Sequence, residues 1–438
     1  MLLYLVVAVL FALLVSSVAL KIFLGWPLLV GLAMFALLAR KKGASARAIQ
    51  RMVGAGIRKA MIVLRVLLMI GALTAVWLSA GTIPTLVSLG LRLIRPELFL
   101  LCAFWFSSAL AFLLGTSFGT VNTIGVVLIT IARGCGVDLL PVAGAVICGA
   151  YFGDRGSPMS SSLALISALT KTSQSNNVRM AIQTALVPFV TASAGFWLLS
   201  GSHPMQGASS GIGAELAGAF RLGTVTLLPA AVVLVLCLLG LNVKWAIAGS
   251  ILCAAAVSLL WQGCGVPALL HCVVFGFSLP ASSPIASIIR GGGICSMLSG
   301  ATVVMLSCMI EAIVSGTGMA DGIRALPAPK SRLGVYGRTA AIAAVASIIG
   351  CNQTVAIVMT TGLMRTDGQS ADADKVLTED LTIAASLIPT LVPWNIAVFT
   401  PISVMGVSGI GYMPYLFFIY AALLWHALRC ALVDRRRR

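Results

Sequence analysis

The chain has 438 residues, of which 59% are hydrophobic and 9% charged, with a formal net charge of +17. A soluble fold of this length needs far more charge to cover its surface, since about 25% is usual, and the placement of the basic residues argues against a nucleic-acid partner. The apolar residues run in charge-free tracts (98–132, 180–214, 222–243, 245–289, 339–364 and 381–428) that suit membrane helices of about 20 residues, whereas a transmembrane β-barrel would alternate in segments of about ten.

In chain order, residues 2–20 and 22–38 read as two helical spans. The first has neither a basic leading region nor a small-residue cleavage site, so it reads as an uncleaved span rather than a signal peptide. Arg40, Lys41, Lys42, Arg47, Arg51, Arg58 and Lys59 then crowd the segment 40–60, and Arg435 to Arg438 end the chain. Short basic loops face the cytoplasm, where they meet anionic head groups of the lipid bilayer. The basic loop and both termini are therefore expected on the inner side of a bacterial-type cytoplasmic membrane, with an even number of crossings. The 11 cysteines are scattered through apolar tracts without disulfide or metal spacing.

Residues 61–80 form a third span. The stretch 81–96, broken by Gly81, Pro84, Gly90 and Pro96, is too short to cross and suits a re-entrant segment. A span at 97–114 runs into LGTSFGTVNTIG (114–125), and a second break follows at YFGDRGSPMSSS (151–162). Residues 206–220 read as a polar linker. The second half repeats the habit with SIIGCNQT (347–354) and IPTLVPWN (388–395). Backbone groups released from a helix at membrane depth are tolerated only where protein or a wet cavity satisfies them. Gly115 to Pro158 and Gly350 to Pro393 are both 43 residues apart, and an offset of 235 places Ser117 on Asn352 and Ser160 on Asn395. The expected fold is an all-α polytopic membrane protein of about 10–12 transmembrane helices, given about 20 residues per crossing. Two inverted repeats, 1–205 and 221–438, would carry discontinuous helices and re-entrant segments, with the site between them.

Asp154 is the sharpest single residue, a carboxylate after an uncharged stretch (139–153). An intramembrane carboxylate is costly and functional by default. Burial disfavours its charge whereas a bound cation favours it, so one Asp can hold either a proton or Na⁺. The alternative is a structural pair between Asp154 and Arg155. Thr116, Ser117, Thr120, Asn122 and Thr123 offer oxygens in the first half, and Asn352, Gln353 and Thr354 in the second. Hard cations prefer such ligands, although membrane Ser and Thr also bond their own backbone. Ser157, Ser160, Ser161 and Ser162 share that ambiguity. Asp154, Ser117 and Asn352 are the candidate Na⁺ ligands. Glu311 reads equally as buried or interfacial, Glu379 and Asp380 as an interfacial helix start, and His271 as a packing histidine.

Enzyme-like strings fail on context. GASSGIG (207–213) has dehydrogenase-like glycine spacing, but no strand precedes it and no Tyr-x-x-x-Lys occurs. FGD (152–154) lacks the first glycine of Gly-x-Gly-Asp, which is Tyr151, and no His-Glu-x-x-His is present. Neither an enzyme nor a cofactor is expected.

The strings GTSFGTVNTIG (115–125), GAYFGDRGSP (149–158) and LVPWNIA (391–397) resemble the NhaC-type sodium/proton antiporter family of the ion-transporter superfamily. The resemblance covers roughly 75–200 and 340–410. It implies coupled Na⁺ and H⁺ transport, an inverted-repeat fold and ion-site roles for Thr116, Ser117, Thr120, Asp154 and Ser157, and for the segment of Pro393, Trp394 and Asn395; it allows a homodimer. Ser161 stands where the family pattern Ser-Pro-Leu-Ser-Asp-Thr-Thr has a carboxylate. Thr382 is the nearest counterpart of the acidic residue ahead of the family's Pro-Trp-Asn. Both departures remove ion-binding charge and leave room for a small organic acid or amino acid coupled to Na⁺ or H⁺. A third reading is a membrane scaffold or receptor without transport.

Overall fold

The computed structural model describes residues 2–436 except 21, 94, 203–214, 240, 242, 281–282, 284, 287–288, 319–328, 330 and 366–369. The first half comprises α1 (Leu2–Ala19), α2 (Gly25–Lys41), α3 (Ala46–Ser79), α4 (Thr82–Leu93), α5 (Phe99–Leu114), α6 (Ser117–Thr120), a wide π turn (Val121–Gly125), α7 (Val126–Gly134), α8 (Leu139–Gly156), α9 (Ser161–Thr170) and α10 (Gln174–Ser202). The second comprises α11 (Leu228–Leu238), α12 (Val243–Leu260), α13 (Val266–Phe275), the two-residue strands β1 (Phe277–Ser278) and β2 (Arg290–Gly291), α14 (Leu298–Gly316), α15 (Arg332–Gly350), α16 (Gln353–Met364), α17 (Ala371–Leu387), α18 (Ile396–Val404) and α19 (Phe417–Arg436). The protein is an all-α polytopic membrane protein. Of the expected linker, residues 206–214 lie outside the described residues and 215–219 are helical.

Among the described residues, seven helices are long and apolar enough to cross a bilayer, or eight if the bent pair Ala371–Leu391 and Ile396–Val404 counts as one span. Shorter apolar helices, such as Thr82–Leu91 and Gln353–Met364, accompany them. The larger number of crossings expected from the sequence would need these shorter helices to pair into broken spans. The basic segment 40–60 is mostly helical rather than a loop. Only a tight turn separates α2 from α3, where the Ser45 hydroxyl accepts from Ala48 N at 3.1 Å. The 34 residues of α3 rise about 51 Å against about 30 Å of hydrocarbon, so one end of α3 must project from the apolar layer. That is where Arg47, Arg51 and Arg58 ride.

Close packing without side chains fixes the centre of the bundle. A Cβ on Gly149 would lie 2.5 Å from Phe104 O, and one on Gly153 would lie 2.4 Å from Ser108 O. This small-xxx-small face lets the α8 backbone press on α5. The contact partners advance together along both helices, so α5 and α8 run parallel and their C-termini meet. Phe104, Phe196 and Trp77 fill the surrounding core, each with at most 1% of its surface exposed. The Trp77 indole N–H is satisfied by Ser250 Oγ at 2.9 Å, as a buried polar group requires. Large apolar side chains such as Leu186, Trp197, Leu198 and Leu252 face outward, as expected of a surface solvated by lipid.

Candidate functional site

The parallel packing of α5 and α8 brings the two first-half breaks together. Gly115 ends α5 at φ +64, and a Cβ there would lie 2.5 Å from the Met159 carbonyl carbon, so glycine is required twice over, for its backbone angle and for its closeness. Thr116 then caps α6, Thr120 Oγ1 donates to Thr116 O at 3.0 Å, and Asn122 Nδ2 donates to Phe118 O at 2.6 Å. The Asn122 Oδ1 is buried without a hydrogen-bond partner among the described residues.

Asp154 sits in the last turn of α8 and is 5% exposed. Ser160, which caps α9 by accepting from Leu163 N, donates its hydroxyl to Asp154 Oδ1 at 2.9 Å. The N–H and hydroxyl of Ser117 also face this carboxylate. Arg155 turns elsewhere: its Nη2 donates to Thr184 Oγ1, while its Nε and Nη1 are buried without partners among the described residues. No ion pair among the described residues joins Asp154 to Arg155. The structural pair entertained from the sequence is therefore not formed.

The second-half breaks lock together in a similar way. Cys351 follows α15 at φ 47, Asn352 caps α16 by accepting from Thr354 N at 2.8 Å, and Gln353 Nε2 reaches Ser386 O at 3.0 Å. Asn395, fully buried, caps α18 by accepting from Ala397 N and donates to Ser347 O at 2.9 Å. Ile396 N donates to Cys351 O, and the Trp394 indole donates to Ile348 O. The two halves touch where Tyr151, one turn before Asp154, donates its hydroxyl to Ala397 O at 2.7 Å. Asp154, Ser117, Ser160 and the Asn395 segment are thus brought close. Thr116, Thr120 and Asn122 belong to the same break as Ser117. Ser157 is buried in the turn that follows α8, and its hydroxyl accepts from Met159 N at 3.1 Å. Ser161 and Thr354 are exposed, and the hydrogen bonds of Asn352 and Gln353 among the described residues stay within the second half.

A second polar cluster was missed at the level of sequence. Asp380 is fully buried inside α17 rather than at an interfacial helix start. Arg332 grips both its oxygens at 2.7 and 2.8 Å, and His426 Nε2 lies 2.8 Å from Oδ1. Glu379 receives Arg429 at 2.7 Å. The partners lie 46 to 50 residues away, so no local pattern announces them. Glu311 is buried, and Lys59 reaches it from α3 at 3.0 Å, which settles that residue as the inner member of a helix-to-helix ion pair.

A model of the Na⁺/H⁺ antiporter family matches residues 1–201 and 149–428. The chain is 28% identical over 395 residues to the malate-2H⁺/Na⁺-lactate antiporter of Bacillus subtilis, covering 88% of this chain and 84% of that protein. It is 28% identical over 366 residues to the Na⁺/H⁺ antiporter NhaC of Alkalihalophilus pseudofirmus, covering 81% and 78%. Identity to the arginine/ornithine antiporter ArcD of Halobacterium salinarum is 27% over 363 residues, covering 80% and 75%.

Proposed function

The chain belongs to the Na⁺/H⁺ antiporter family, and from that premise we propose that this secondary antiporter exchanges Na⁺ for H⁺ through competition at Asp154. The observation that carries the reading is a buried carboxylate at the junction of two broken helices, hydrogen-bonded to Ser160 and unpaired with Arg155. An unpaired buried charge is expensive. Asp154 is therefore neutralised either by a proton or by a cation, and the two occupancies exclude one another. Ser117, Thr120, Asn122 and Ser160 supply the hard oxygens a sodium ion takes in place of its water. Asn395 and its neighbours close the same junction from the other half. The two halves act as inverted repeats in this reading, rocking about the site, in a cell membrane with both termini and the basic 40–60 segment in the cytoplasm.

The test uses purified protein in liposomes loaded with a pH-sensitive dye. An imposed Na⁺ gradient, with no organic solute present, should drive proton movement in the opposite direction. Apparent affinity for Na⁺ should fall as pH is lowered, because protons compete for Asp154. A second reading is coupled exchange of a small organic anion or amino acid. The neutral Ser161 favours it, since that position supplies no second carboxylate for a cation. Proton movement that appears only when such a solute is added would replace the first reading with the second.

A further inference from the structure

At the far end of α8 from Asp154 lies a cavity of about 630 Å³, within the range of roughly 300–1,000 Å³ usual for small-molecule sites. Leu139, the first residue of α8, lines it; the fifteen residues from there to Asp154 rise about 22 Å. Thr74, near the C-terminal end of α3, also lines it, so it opens towards the face opposite the basic start of α3. The same cavity follows α7 from Arg133 to Val126, and Val126 is one helical turn beyond Asn122. It is a vestibule that ends next to the first-half break.

Its charge has one sign. Arg133, Arg290 and His271 line it, and no Asp or Glu is among its described lining residues. His271, expected to pack in an apolar run, is exposed, with its ring against Phe275 at 4.9 Å. Neither arginine takes part in any ion pair among the described residues. The nearby Asp138 is engaged in capping α8 through Leu140 N. Thr130 and Ser296 donate their hydroxyl protons to backbone carbonyls, which leaves the guanidiniums as the strong donors facing the space.

Arg133 is held in place, and the backbone that carries Arg290 is packed. Arg133 Nη2 donates to Met405 O at 3.3 Å, and Gly406 makes room for it, since a Cβ there would lie 3.1 Å from that nitrogen. Arg290 sits on the β2 strand, whose continuation packs against α3: a Cβ on Gly292 would lie 2.4 Å from Ala75 N. Two like charges in one cleft repel unless an anion joins them, and basic residues on this face run against the usual cytoplasmic bias. A cleft of one sign concentrates counter-ions, and a guanidinium presents a fork that matches a carboxylate.

We propose that this vestibule is a binding site for a small dicarboxylate, held by Arg133 and Arg290. The site is separate from Asp154 and does not depend on the Na⁺/H⁺ reading. The experiment is titration of the purified full-length protein with succinate, read by calorimetry and by thermal unfolding, against sodium chloride and sodium sulfate at matched sodium and ionic strength. Succinate should bind saturably, and propionate, with a single carboxylate, at least tenfold more weakly. Arg133→Gln and Arg290→Gln should each weaken succinate at least tenfold, whereas Asp154→Asn should bind it as the wild type does. Arg290→Gln lies on an exposed residue, so it keeps the test intact should Arg133→Gln fail to fold. Absence of saturable succinate binding, or wild-type affinity in a folded Arg290→Gln variant, overturns the proposal.

Discussion

Replacing Asp154 by Asn removes one charge from the centre of the molecule and keeps the size of the side chain. The carboxylate accepts a hydroxyl hydrogen bond from Ser160 at 2.9 Å, with Ser117 facing it as well; for the Ser160 bond, a charged acceptor contributes about 1.5–3 kcal/mol, and the amide oxygen keeps a neutral one of about 1 kcal/mol. The loss of about 0.5–2 kcal/mol is offset because a neutral amide is easier to bury than a carboxylate. Arg155 loses nothing, since its hydrogen bond goes to Thr184. Stability should therefore change by no more than about 1 kcal/mol, while Na⁺-driven proton movement in liposomes should fall at least a hundredfold. Asp154→Glu should leave partial activity, because the charge remains but its distance to Ser117 and Ser160 changes. A folded Asp154→Asn protein that exchanges at the wild-type rate would refute the assignment. Strong destabilisation rescued by Arg155→Gln would show instead that the two side chains form an ion pair.

Three further outcomes follow from the packing. Gly153→Val should cost about 1–3 kcal/mol by overpacking and should impair transport, whereas Gly156→Ala, whose Cβ would meet nothing closer than 3.6 Å, should be tolerated; thermal unfolding of the pair in detergent checks the contrast. Asp380→Ala leaves Arg332 and His426 without their shared carboxylate and should cost about 3–5 kcal/mol, the usual penalty for breaking a buried ion pair, seen as a lowered unfolding temperature. Reporter fusions at residue 50 and after Arg438 should report the same side of the membrane, and opposite sides would overturn the even number of crossings.

The breaks were legible because their signals are local. A left-handed glycine at 115 and a proline at 158 punctuate apolar sequence wherever they stand, and the structure places helix ends at both. The detail around them was legible only to within a residue. The first helix of the second-half pair ends with Cys351 in the left-handed region rather than with Gly350. As a result Thr116 and Asn352, the two capping residues, differ by 236 positions, whereas Ser160 and Asn395 differ by 235. In a turn, one residue decides which side chain faces inward. Ser160 reaches the carboxylate while Ser161, singled out from the family pattern, is exposed.

Contacts that join distant parts of the chain left no trace in composition or spacing. Arg332, Asp380 and His426 form one cluster, and Arg133 and Arg290 share one cavity, yet each residue alone reads as a loop-end charge or a lone polar group. Their separation along the chain explains why neither grouping was expected from the sequence, which pointed first to neutral oxygens around Asp154. The family strings mark where the backbone must break, and that requirement is shared by any cargo whose coordination needs unwound helix. Beside the first-half break, Arg133 and Arg290 line a cavity whose guanidiniums would attract a carboxylate, apart from the exchange proposed at Asp154. The proposed anion site therefore lies outside every string that identifies the family, and substitutions at Arg133 or Arg290 should weaken anion binding without disturbing the broken helices themselves.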